Sequence, residues 1–218
     1  MSVRSYRVVL PEPWRRIPTG PGRKERIGEI VEQAAARLPR DVPPDQAGPW
    51  RRELERRMTT DVQAAADNGA VDVYIPSDTW HGFLVGASFV VSVVAPPGMV
   101  PEGATGEDAA ALLLTELSAG EGADLMNVDG TPWVRVESVE EADPARADID
   151  VGTRRVEYLT PHPDIPQRWI IVAFSCTGAG DPTDEVADVT VRLFDAIMGT
   201  WRWIGTGDPF DGPGPALL

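Results

Sequence analysis

Asn68-Gly69-Ala70-Val71-Asp72-Val73-Tyr74-Ile75-Pro76 is the stretch whose reading decides the fold class. Before it, Trp50, Leu54, Met58, Val62 and Ala65 recur every three or four positions. That spacing lines one face of a helix over about 50–68, and Asn68-Gly69 supplies its C-terminal stop. From Val71 to Ile75 the period becomes two, the pattern of a half-buried strand, and Pro76 closes it. A helix running straight into an alternating strand points to a mixed fold.

The same two periods sort the rest of the chain. Upstream, Ile27, Ile30, Val31, Ala34 and Leu38 share a face of a helix over 23–38, which Pro39, Pro43 and Pro44 end. Tyr6 to Leu10 reads as a short strand stopped by Pro11 and Pro13. Downstream, Phe83 to Val94 is a long β-rich run in which Gly86 is expected to mark a bulge. Thr105-Gly106-Glu107-Asp108 resembles a capping box before a short apolar helix over 109–117. Segments 125–128 and 133–139 flank Asp129-Gly130 as a hairpin, and 154–159 and 169–174 are two further strands. Asp181-Pro182 is expected to open a last helix with Val186, Val189, Leu193, Phe194 and Ile197 inward. The expectation is one α+β domain over 1–204, a twisted and mostly antiparallel sheet with helices packed on its faces. Residues 205–218, rich in Gly and Pro, are expected to form a flexible tail.

Charge narrows the function classes. The 218 residues carry a net charge of -14, which argues against nucleic acid or an anionic membrane as the main partner. Basic residues concentrate in 1–57, and from Met58 to Val134 there is no Lys or Arg at all. The acidic stretch reads either as a face that docks a basic partner or the protein's own basic helices, or as a solvated surface. The helices over 23–38 and 50–68 carry eight of the 20 cations, and Arg52, Arg56 and Arg57 are the candidate patch for a partner. Here too two outcomes stand: a positive patch, or cations paired at helical spacing, as Glu53 with Arg57. Of the seven tryptophans, Trp80 in the polar turn 77–82 is the candidate exposed anchor. No apolar run reaches the roughly 18 residues of a membrane span, and Met1 to Tyr6 lacks the apolar core of a signal peptide. A cytoplasmic protein with no membrane partner is expected.

Candidate chemistry is sparse. Cys176, the single cysteine, needs a histidine as base, and only His81 and His162 exist. Two histidines and one cysteine lack metal-ligand spacing, so neither a metal nor a cofactor is expected. Asp148-Ile149-Asp150-Val151-Gly152 starts like a calcium loop, but Leu159 stands where the bidentate Glu is required. Gly86-Ala87-Ser88-Phe89-Val90 starts like a nucleophile elbow yet reads as mid-strand and lacks the closing glycine. Gly178-Ala179-Gly180-Asp181 precedes a helix, but Asp181 and Asp184 would repel an anion. His162-Pro163-Asp164, the tripeptide of J-domain co-chaperones, joins two strands here rather than two helices, so it reads as a turn.

The two ends of the chain carry a resemblance. Val8-Val9-Leu10-Pro11-Glu12-Pro13-Trp14 with Ile17-Pro18, then Val172-Ala173-Phe174-Ser175-Cys176-Thr177, Leu193-Phe194-Asp195-Ala196-Ile197 and Trp201-Arg202-Trp203, resemble a group of uncharacterised actinobacterial proteins. The closing strand, helix and Trp-Arg-Trp ending are also similar to the PsbP-like fold, an α/β/α sandwich. That resemblance implies a binding role: the fold serves a nuclear-import Ran-binding factor and adaptor chaperones of bacterial secretion effectors. It brings no catalytic residue with it. The expected function is a non-enzymatic binding or adaptor protein, monomer or weak dimer, with a protein partner linked to secretion or to a toxin. The alternative is an acidic immunity-type protein that neutralises a basic toxin.

Overall fold

The computed structural model describes residues 5–38, 43–78, 86–95, 108, 111–112, 115, 123–142, 151–165 and 168–205. Its elements in chain order are β1 (Ser5–Arg7), β2 (Trp14–Pro18), α1 (Arg23–Ala35), α2 (Pro44–Asp67), β3 (Ala70–Pro76) and β4 (Ala87–Val94). Then follow β5 (Ala123–Val128), β6 (Thr131–Glu140), β7 (Thr153–Pro161), β8 (Trp169–Cys176), α3 (Glu185–Gly199) and β9 (Arg202–Ile204). Seven strands form one sheet in the order β2-β3-β4-β8-β7-β6-β5, with every pairing antiparallel. Strands β1 and β9 pair separately and join the two ends of the described chain. The fold is α+β.

Each sheet face has its own core. Alternation along β3 sends Val73 and Ile75 to one side, where they meet Ile17 of β2, Ile27, Ile30 and Val31 of α1, and Val62 of α2. Tyr74 points to the other side, into a larger cluster with Phe89, Val91, Val156, Val172, Phe174 and α3. There Phe194 stacks on Phe174 at 4.6 Å between ring centroids, and Tyr6 of β1 stacks on Trp201 at 4.2 Å. Rings of this size buried at offset contact dominate the energetics of such a core.

Several boundaries differ from expectation for identifiable reasons. β1 ends at Arg7 rather than Leu10, and β2 forms after Pro13, because that proline precedes a sheet edge where its missing N–H costs no ladder bond. α2 starts at Pro44, six residues before Trp50, since proline suits the first helical turn. It stops at Asn68, and Gly69 takes φ +88°; a Cβ there would sit 3.2 Å from the Val93 carbonyl. The bulge lies in β3 between Ala70 and Asp72, not at Gly86, whose carbonyl instead accepts from the Thr177 N–H at 3.0 Å just before β4. Asp184, not Asp181, caps α3: its Oδ1 accepts from the Ala187 N–H at 2.6 Å. Asp181 is spent on its own turn, accepting from the Thr183 N–H at 2.8 Å. Asp129-Gly130 does form the β5–β6 turn, with both residues at positive φ, and His162 to Ile165 is a turn between β7 and β8. Of the helix expected over 109–117, Ala111, Leu112 and Thr115 are described and helical. The segments holding Trp80, His81 and Asp148, and the expected tail beyond Gly205, lie outside the described residues.

Candidate functional site

The helical cations are interleaved with carboxylates. α1 carries three of each, α2 four cations and five carboxylates. Glu53 holds Arg56 at 2.8 Å and Arg57 at 2.7 Å, Glu29 holds Arg26, and Glu32 of α1 reaches Arg51 of α2. Those two arginines pull the Glu53 carboxyl down to about 2 by hydrogen bonding. Arg52 is exposed and makes no ion pair among the described residues. Among the described tryptophans Trp50 is the exposed one, at 38%, while Trp14, Trp133, Trp169 and Trp201 are buried.

Three polar groups lie where no surface reading would put them. Asp72, one of the acids of the cation-free stretch, is wholly buried: Tyr6 Oη donates to its Oδ2 at 2.5 Å and Arg16 Nε to its Oδ1 at 2.6 Å. Burial pushes its carboxyl up, more than those two donors pull it down. His162 is buried, and its Nδ1 accepts from the N–H groups of Asp164 and Ile165 at 3.1 Å each, so the turn is closed by the imidazole. Burial also lowers its pKa. Cys176 is buried with its thiol pushed up by desolvation, which disfavours the thiolate a nucleophile needs. His162 and Cys176 sit at opposite ends of β8, about 23 Å apart at the rise of a strand, so the two do not form a pair. The N-terminus of α3 is filled by Asp184, whose Oδ2 also accepts from the Ala179 N–H at 2.7 Å. Among the described residues no group of three or more His, Cys, Asp or Glu is placed to hold a metal ion. No described helix is long and apolar enough to cross a membrane.

The surface feature with a distinct geometry is the β5 edge of the sheet. Among the described residues β5 has β6 on one side and no strand on the other. Leu125 sits opposite Val134 and Met126 opposite Trp133, and both of those partners are fully buried. Leu125 and Met126 themselves are 53% and 37% exposed. Because successive side chains point to opposite faces, the two project from opposite sides of the edge strand, Met126 on the side of the large cluster that holds Trp133. Beside Met126 a cleft of about 340 Å³ opens, lined by Asn127, Val128, Asp129, Tyr158, Asp195, Gly199 and Arg202. Its floor is rigid: Asp195 of α3 takes the Arg135 guanidinium at 3.0 Å through both oxygens and the Tyr158 hydroxyl at 2.9 Å. These bonds hold Arg135 firmly charged despite the burial that opposes it.

Sequence reasoning passed over this edge. The adjacent pair Leu125-Met126 in a strand of six was the available signal, since a strand with one wet face does not place large apolar residues side by side. Which strand lies at the edge depends on pairing order, which no local pattern encodes. Comparison with known protein families and with curated proteins finds no family model and no curated protein that matches the chain.

Proposed function

We propose that this protein is a non-enzymatic binding or adaptor protein of the cytoplasm that holds a polypeptide partner along β5. The carrying observation is the Leu125-Met126 edge, where two large apolar side chains stay exposed beside the fully buried Val134 and Trp133. Exposed apolar strand edges template pairing with another chain, and natural sheets normally block them. The sequence likeness to the PsbP-like fold of secretion-effector adaptors agrees with such a role. The alternative, an acidic immunity-type protein that captures a basic toxin, draws on the lack of any cation from Met58 to Val134.

The test is a double substitution, Leu125→Lys with Met126→Lys, in the full chain. Affinity isolation from the native host should recover a stoichiometric protein with the wild type and lose it with the variant, at unchanged thermal unfolding. Equal recovery by both, or no partner with either, overturns the reading. A recovered partner that is a toxin, with rescue of poisoned cells, selects the alternative.

A further inference from the structure

Resting on the β5 reading, we propose that the docked partner is an extended segment that adds to β5 as an eighth strand and seats an arginine side chain in the cleft at the strand's end. Three features of that cleft favour a cation. Asp129 is held in place by the turn, its Oδ2 accepting from the Trp203 N–H at 2.8 Å. Its Oδ1 lies 3.7 Å from Arg202 Nε, beyond hydrogen-bond reach, and so keeps acceptor capacity. Asp195 supplies a second carboxylate, already fixed by Arg135 and Tyr158. The C-terminus of α3 ends at Gly199 in the cleft wall, and the negative end of its dipole is met there by a cation from outside the helix, Arg202.

A guanidinium fits better than an ammonium because one already stands there. Arg202 is half exposed, its Nη1 donating to the Trp201 carbonyl at 2.6 Å and reaching the Gly199 carbonyl at 3.3 Å, while its Nε misses Asp129. It is anchored on these carbonyls rather than on Asp129, so an incoming arginine can take Asp129 beside it. A second copy of this chain is the poorer occupant. Pairing β5 with itself would bring together two strands whose charged residue is Asp124, on chains of net charge -14 each. An extended segment carrying an arginine meets both the apolar edge and the Asp129 carboxylate.

The test uses amidated, acetylated peptides of alternating valine and threonine ending in arginine, citrulline or glutamate, titrated at low salt into the full chain and followed by amide NMR shifts. The arginine peptide should shift β5 amides and bind about tenfold tighter than the citrulline peptide, the value of a charge-assisted hydrogen bond. Asp129→Asn, which tolerates the left-handed backbone there, should erase that difference while leaving the spectrum of the unbound protein intact. Arg202→Gln should tighten the arginine peptide about threefold by removing the resident group. Equal binding of arginine and citrulline peptides at β5 overturns the arginine seat and leaves the edge reading standing. Absence of β5 shifts with every peptide overturns both.

Discussion

The two edges of the seven-stranded sheet are built on opposite rules. β2 is five residues long, preceded by Pro13 and ended by Pro18, with Arg15 and Arg16 between. Arg15 turns out to Glu12 at 2.9 Å, and Arg16 is anchored on buried Asp72. Short length, proline and charge are the devices by which natural sheets keep other chains off an edge. β5 has no proline and no cation, and it exposes Leu125 and Met126. A protein that guards one edge so fully and leaves the other apolar is not simply careless about edges. The difference points to β5 as the place of contact.

The strongest way to break the comparison is to dismantle the guarded edge. Arg16→Met leaves Asp72 buried with Tyr6 as its remaining donor, and removing one partner of a buried pair costs about 3 kcal/mol or more. Thermal unfolding at pH 8 should show that loss in full, and the deficit should shrink toward pH 4, where protonation removes the stranded charge. A deficit that does not change with pH would mean that Arg16 acts through packing alone.

A smaller effect follows from Asp72 in the wild type. Burial raises its folded pKa above the unfolded value, so the protonated form is the one the fold prefers. Its contribution to stability is therefore fully present below the ordinary aspartate range and is lost as pH rises through the raised value. Asp72→Asn should flatten that part of the stability curve, measured by chemical unfolding at closely spaced pH values. An unchanged slope would place the cost of the buried carboxylate elsewhere.

At the open edge the expected stability change is smaller again. Leu125→Lys should stay within about 0.5 kcal/mol of wild type, because the side chain is already half in water. What should change is association: light scattering at rising concentration should fall with Leu125→Lys and rise with Arg15→Val, which removes a guard from β2. If Arg15→Val leaves association unchanged, the two edges do not differ for the reason given.

Much of this contrast was hidden from the sequence, and the reason is pairing distance. Local period located α1, α2, β3, the β5–β6 hairpin, β7, β8 and the helix α3, because each depends on neighbours a few positions away. The buried face of α3, however, is Ala187, Thr190, Val191, Phe194, Ile197 and Met198, with the expected Val186, Val189 and Leu193 only partly buried. β2 escaped because Pro11 and Pro13 read as a stop, while its partner β3 lies some sixty residues on. β9 escaped, and the strand expected over Tyr6 to Leu10 was carried past its end at Arg7, because Tyr6 meets Trp203 only when the ends close. Asp72 was legible as an acid inside an alternating strand; its burial followed from Tyr6 and Arg16, neither of which is local. The apolar edge is likewise a property of strand order.

The least effect is expected on α2, and it separates the edge from the other surface that could take a partner. Glu53→Gln releases Arg56 and Arg57 from their shared carboxylate and makes the Arg52 region more positive. In the wild type Glu53 is depressed to about 2, so its ion pairs support the helix above the ordinary glutamate range and fade as pH falls toward 2. All three side chains are solvent-exposed, and exposed pairs of this kind contribute little, so thermal unfolding at pH 7 should not move measurably. Partner binding should not move either if β5 is the docking strand, since α2 packs on the opposite end of the sheet, against β3. Were binding instead to strengthen in Glu53→Gln and weaken with salt, the partner would be acidic and seated on α2, and the open edge would need another explanation.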